Sequence, residues 1–191
     1  IGAGALGANT TANNNTAVGR SCMAVNTTGH SNVAVGSDAL DANTTAIRNT
    51  AVGHAALSSN TTANENTAVG WQALTANTTG ISNVAMGVGA MAASTTGTAN
   101  VSLGQNSLHA GTDPDSNVAI GYDALRNHTE NNNIAIGHSA MKTSTTGGQN
   151  VCVGDAALRD GSGFIHCVAV GAEALQDNSG NRNTAVGYHA L

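Results

Sequence analysis

The chain has 191 residues, a formal net charge of −5, 9% charged residues and 2% aromatic ones. Six Lys and Arg are too sparse to track a phosphate backbone, which excludes a nucleic-acid binder, and no apolar run approaches the roughly 20 residues of a membrane span. With a single Phe and a single Trp, packing falls to Val, Ala, Leu, Gly, Thr and Asn, residues that suit thin repetitive layers better than a thick globular core.

A glycine returns at Gly2, Gly19, Gly36, Gly53, Gly70, Gly87, Gly104, Gly121, Gly137, Gly154, Gly171 and Gly187, spaced by 17 residues nine times and by 16 twice. A fixed short period over the whole length means one small unit stacked on itself. Other positions keep the same phase. One before the glycine runs an apolar ladder from Ile1 to Val186, and four after it a second from Leu6 to Leu191. Ala, sometimes Ser or Cys, stands two before and three after. An Asn stands four before, at Asn15 and on to Asn183 with Cys167 as the exception, and a hydroxyl runs eight after, from Thr10 to Ser179.

Within each repeat the stretch Asn-Thr/Val-Ala-Val/Ile-Gly alternates with period two and is β-branched, the pattern of a strand. This reading places Val/Ile toward the core and Ala on the opposite face. The glycine allows a turn or a close backbone approach, and x-x-Ala-Leu reads as a second short strand whose Leu points back at the Val/Ile ladder. The Asn-Thr-Thr-Gly-like remainder is turn chemistry; both 16-residue repeats lose their residue there, after Thr129 and after Ser179. Helix is disfavoured because Gly and Asn recur in every window. The expected fold is therefore all-β, a parallel β-solenoid of about twelve 16–17-residue coils, with Asn side chains bonding the coil above or below. The three cysteines, Cys22, Cys152 and Cys167, fall at small or Asn positions and read as buried residues rather than a disulfide framework or zinc site. The chain lacks an initiator Met and ends partway through a repeat, so 1–191 reads as one repeat domain excerpted from a longer fibre-like protein.

Asn32-Val33-Ala34-Val35-Gly36, Asn117-Val118-Ala119-Ile120-Gly121 and Asn133-Ile134-Ala135-Ile136-Gly137 resemble the Asn-Ser-Val-Ala-Ile-Gly repeats in the heads of YadA-type trimeric autotransporter adhesins. Similar arrays occur in phage and giant-virus fibre proteins. The resemblance covers the whole chain, although the adhesin heads use a shorter coil. It implies a left-handed parallel β-roll, a side-by-side homotrimer, attachment as the role, and an extracellular, cell-surface or virion-surface location. The all-small, mostly Ala ladder two before each glycine, expected on the outer face, is the independent argument for oligomerisation.

Chemistry-bearing residues are few. The position after the glycine gathers His54 and Trp71 on adjacent coils, and Tyr122 and His138 likewise, an aromatic beside a hydrogen-bonding group on which a sugar ring can stack. The plainer reading is that they cover the glycine turn or fill the subunit interface. Five after the glycine, His109, Arg126, Lys142 and Arg159 stack cations on four consecutive coils. They are either a docking stripe for an anionic polysaccharide or a face compensated by Asp123, Asp155 and Asp160. Asp113, Asp115 and Glu130 cluster beside Pro114, as a cation or hydrolase site or as a solvated turn in an exposed loop. The seven His are scattered and read as solvent-exposed; with no His-x-His or His-Glu-x-x-His pattern, no metal or cofactor is expected. The Asn-Thr-Thr triplets at Asn9, Asn26, Asn43, Asn60 and Asn77, with Asn14, Asn100 and Asn127, match glycosylation sequons, though turn structure alone explains them.

The leading expectation is a non-enzymatic structural or attachment segment of a viral or bacterial surface fibre, forming a stiff homotrimeric rod that contacts cell-surface glycans. The alternatives are an ice-binding solenoid using the doubled Thr ladder (Thr10-Thr11 to Thr95-Thr96) and a fibre-borne glycan hydrolase using Asp113 and Glu130.

Overall fold

A computed structural model describes residues 1–191. It is an all-β parallel solenoid of three-residue strands: β1 (Thr16–Val18), β2 (Val33–Val35), β3 (Thr50–Val52), β4 (Thr67–Val69), β5 (Val84–Met86), β6 (Val101–Leu103), β7 (Val118–Ile120), β8 (Ile134–Ile136), β9 (Val151–Val153), β10 (Val168–Val170) and β11 (Thr184–Val186). They form one sheet in sequence order, each residue pairing with its repeat equivalent one coil on, as Thr50 with Thr67 and Ala51 with Ala68. Eleven strands enclose ten turns, fewer than the twelve expected, because no strand precedes Gly2 and none follows Gly187. Ten strand spacings make a rod about 48 Å long.

The two faces of the strand are the reverse of the expectation. The Ala two before each glycine is buried, with Ala34, Ala51, Ala68 and Ala119 at 0% exposure, while the Val/Ile ladder lies outside, Val18 at 40% and Val170 at 36%. Period two decides which residues share a face but not which face points inward. The deciding partner is the opposite wall. Leu40, Leu57, Leu74 and their equivalents are fully buried and fill the interior; in so thin a coil, Leu from one wall leaves room for a methyl on the other. The Leu half of the core expectation holds, and the Val/Ile half does not. The Ala ladder, being interior, cannot be an oligomer contact.

The x-x-Ala-Leu stretch is a turn rather than a second strand. Its residues two and four after the glycine take left-handed backbone, as at Gln72 (φ 53°) and Leu74 (φ 52°), an uncommon state for non-glycine residues. Alternating handedness points the amides along the rod axis in both directions: Gln72 N–H donates back to His54 O at 2.9 Å and Leu74 N–H forward to Ala90 O at 2.9 Å. The ladder thus runs round the whole coil, since only 20 of 116 backbone hydrogen bonds lie within strands. The repeating glycine opens this turn. Gly70 has φ +139°, and a Cβ there would sit 2.5 Å from Gly87 O in the next coil, so backbone conformation and close approach both demand Gly.

Polar ladders run through the interior. Asn66 is fully buried; its Oδ1 accepts from Asn83 N–H at 3.0 Å and its Nδ2 donates to Gly80 O at 2.8 Å. The same pattern recurs at Asn32 and Asn49, as the sequence leads one to expect. A second column stands seven after the glycine, where Asn43 Nδ2 donates to Asn26 Oδ1 at 2.7 Å. The single Phe, Phe164, fits inside because it packs on Gly161 of its own coil, where a Cβ would come within 2.9 Å of its ring. All three cysteines are buried and free.

Candidate functional site

The outer columns one, two and five after the glycine share the side of the rod formed by the left-handed turn. Tyr122 and His138 meet there with ring centroids 5.5 Å apart and planes at 11°, and His138 Nδ1 lies 2.8 Å from Asp155 Oδ1. One face of each ring is turned on the other, so the pair offers a sugar only its outer faces. Asp155, the residue in the same column one coil further on, completes this row; sequence reasoning assigned it to the cations instead. His54 and Trp71 are both exposed, Trp71 at 51%, and do not form a ring pair. Trp71 is therefore exposed and not stacked on another ring.

The cation stripe is brought together and largely neutralised. Asp123, 1% exposed, receives Lys142 Nζ at 2.7 Å and Arg126 at 3.5 Å, while its Oδ1 has no partner. Arg159 pairs with Asp160 at 2.7 Å, and its hydrogen bond holds the Asp160 carboxyl below the usual carboxylate range. His109 Nδ1 lies 2.8 Å from Gly89 O and meets no acid. The compensating acids are thus Asp123 and Asp160; Asp155 serves His138.

The acidic cluster is committed elsewhere. Asp113 accepts from Thr95 Oγ1 and Thr96 Oγ1, each at 2.7 Å, and these bonds lower its pKa. Asp115 Oδ1 accepts from Thr98 N–H at 2.7 Å. Glu130 is exposed and contributes its carbonyl, to Asn117 Nδ2 at 3.0 Å. Pro114 is buried rather than in an exposed loop, because it occupies the small inward position held by Ala46 and Ala63 in earlier coils.

The Thr ladder hydroxyls are tied back to the rod: Thr27, Thr44 and Thr78 Oγ1 donate to the carbonyl of the next coil's Thr at 3.1, 3.2 and 3.1 Å. Of the sequon asparagines, Asn26, Asn43, Asn60, Asn77 and Asn100 are fully buried, out of reach of any glycosylating enzyme in the folded rod. Six His are exposed or half-buried, but His128 is fully buried, against expectation; its place in the interior Asn column is visible in the repeat alignment. No family model, curated protein or solved structure matches the chain, so its function is argued from these residues alone.

Proposed function

We propose that the chain is a non-enzymatic structural segment of a surface fibre, assembling side by side as a homotrimer outside the cell or on a virion. The observation that carries this reading is the outward strand face of β1–β11. Its two columns, one and three before each glycine, are entirely Val, Ile, Leu, Met or Thr with no charge, and include Val33 at 36%, Met86 at 43% and Ile134 at 37% exposure. The stripe covers roughly 500 Å² at strand spacing, as large as the biggest apolar patch of a typical monomer and unbroken along the rod. Three copies turning this narrow face to a common axis bury it.

Support for a non-catalytic role comes from Asp113, whose carboxylate is held by two threonines, with no convergent acid or nucleophile beside it. Glycan contact rests on Trp71, whose ring is exposed and unstacked, more than on the paired Tyr122 and His138. The ice-binding alternative has weak support, because the Thr hydroxyls are engaged by backbone carbonyls.

Light scattering should give three times the 18.8 kDa chain mass. A Val52→Lys, Val69→Lys variant should keep the β-type circular dichroism and fall to monomer, since it charges the outer face and leaves the core intact. A monomeric wild type refutes the assembly. Trp71→Ala should abolish any glycan-array signal while leaving the mass unchanged.

A further inference from the structure

The two 16-residue coils, opened by Gly121 and Gly171, share a device absent from the 17-residue ones. In each, the side chain seven after the glycine bonds the Asn of its own coil: His128 Nε2 lies 2.8 Å from Asn133 Nδ2, and Asn178 Oδ1 accepts from Asn183 Nδ2 at 2.7 Å. In longer coils that Asn amide reaches the next coil's carbonyl instead, as Asn66 reaches Gly80 and Asn100 reaches Pro114. Shortening the turn brings the two interior columns into contact, and His128 and Asn178 supply the acceptor.

The proton positions at His128 follow from its neighbours. Asn133 Oδ1 accepts from Asn150 N–H at 3.1 Å and Asn150 Nδ2 at 3.0 Å, which turns its amide nitrogen toward the imidazole. Nε2 is therefore an acceptor, and Nδ1 carries the proton donated to Ser144 O at 3.1 Å. A second proton, on Nε2, would point at the Asn133 amide hydrogens. Asn133 cannot flip to receive it without releasing Asn150, which is the link to the next coil.

We propose that His128 makes the coil opened by Gly121 an acid-released joint, the one turn of this rod whose interior ladder requires a neutral imidazole. The charged groups around it offer little relief. Glu130, in its own turn, acts weakly in favour of the cation. In the preceding coil Asp113 and Asp115 are held by threonines and His109 by Gly89 O; in the following coil the one titratable group between Lys142 and Asp155 is the buried Cys152 thiol, which burial keeps protonated and neutral. Desolvation by burial outweighs the Ser144 and Gly147 carbonyls and Glu130, all of which favour the cation, and holds the His128 pKa below its ordinary 6.5. With the folded pKa depressed, the unfolded chain binds the proton more readily, so stability is full above about pH 6.5 and falls as pH drops toward the folded pKa.

The test is amide hydrogen exchange resolved by peptide between pH 7.5 and 5.0, corrected for intrinsic exchange. Peptides spanning 121–150 should show an opening constant rising about tenfold per pH unit below about pH 6.5, while those spanning 50–84 stay flat. His128→Asn, which copies the Asn178–Asn183 arrangement, should abolish the acid response; His128→Ser, the residue type of that column at Ser94 and Ser144, serves if the Asn variant folds poorly. Acid-independent protection of 121–150 in the wild type overturns the proposal, as does an acid response that persists in the variants. The assembly state does not enter, so this outcome is separable from the trimer reading.

Discussion

Replacing Asn66 by Ala tests whether the interior amide ladder holds the coils together. Asn66 is fully buried and serves both Asn83 N–H and Gly80 C=O. Its Oδ1 also accepts from Asn83 Nδ2, but that amide keeps a second partner in Gly97 O at 2.7 Å. Gly80 C=O likewise keeps Asn77 Nδ2 as a donor at 3.0 Å, so the substitution orphans one backbone group, Asn83 N–H, in a dry interior. At about 1–3 kcal/mol for a buried unsatisfied group, the expected loss is about 1–3 kcal/mol. Asn64→Ala is the matched control: Asn64 Oδ1 accepts from Ile47 N–H at 2.8 Å, but it is half-buried on the outside, where water replaces it at under about 1 kcal/mol. Because a solenoid can open by pieces, urea unfolding should be combined with hydrogen exchange resolved over residues 60–90. Equal losses for the two variants, or a loss at Asn66 below about 1 kcal/mol, would refute the claim that the ladder is structural.

Leu74→Ala should cost about 2–5 kcal/mol as a fully buried truncation, while Val69→Ala, trimming a side chain on the outer face, should cost the isolated chain well under half of that; thermal unfolding of dilute protein compares them, and a reversed order would restore Val/Ile to the core. Burial pushes the Cys152 thiol far above its ordinary pKa, so it should resist iodoacetamide at pH 8 and react only after denaturation. Rapid labelling of the native protein would show that this wall of the coil is not closed.

The sequence by itself determined the period, the strand in each Asn-x-Ala-x-Gly stretch, the Leu interior, the coil-to-coil Asn ladder, the burial of the cysteines and the turn that absorbs the missing residues. These are legible because a stacked repeat writes each structural role at a fixed phase, and a defect at any rung would interrupt its neighbours. The direction of the strand was not legible: Ala68 and Val69 alternate identically whichever face is inside. Only the opposite wall, where Leu74 fills the space, sends the methyl in and the isopropyl out. The same holds for the chemistry. Lys142 reaches back to Asp123 and His138 to Asp155 because side chains one coil apart in space are 16 to 19 positions apart in sequence. His128 reads as one of seven scattered imidazoles until the shortened turn swings it against Asn133, and that contact depends on how two columns of one coil close on each other in three dimensions.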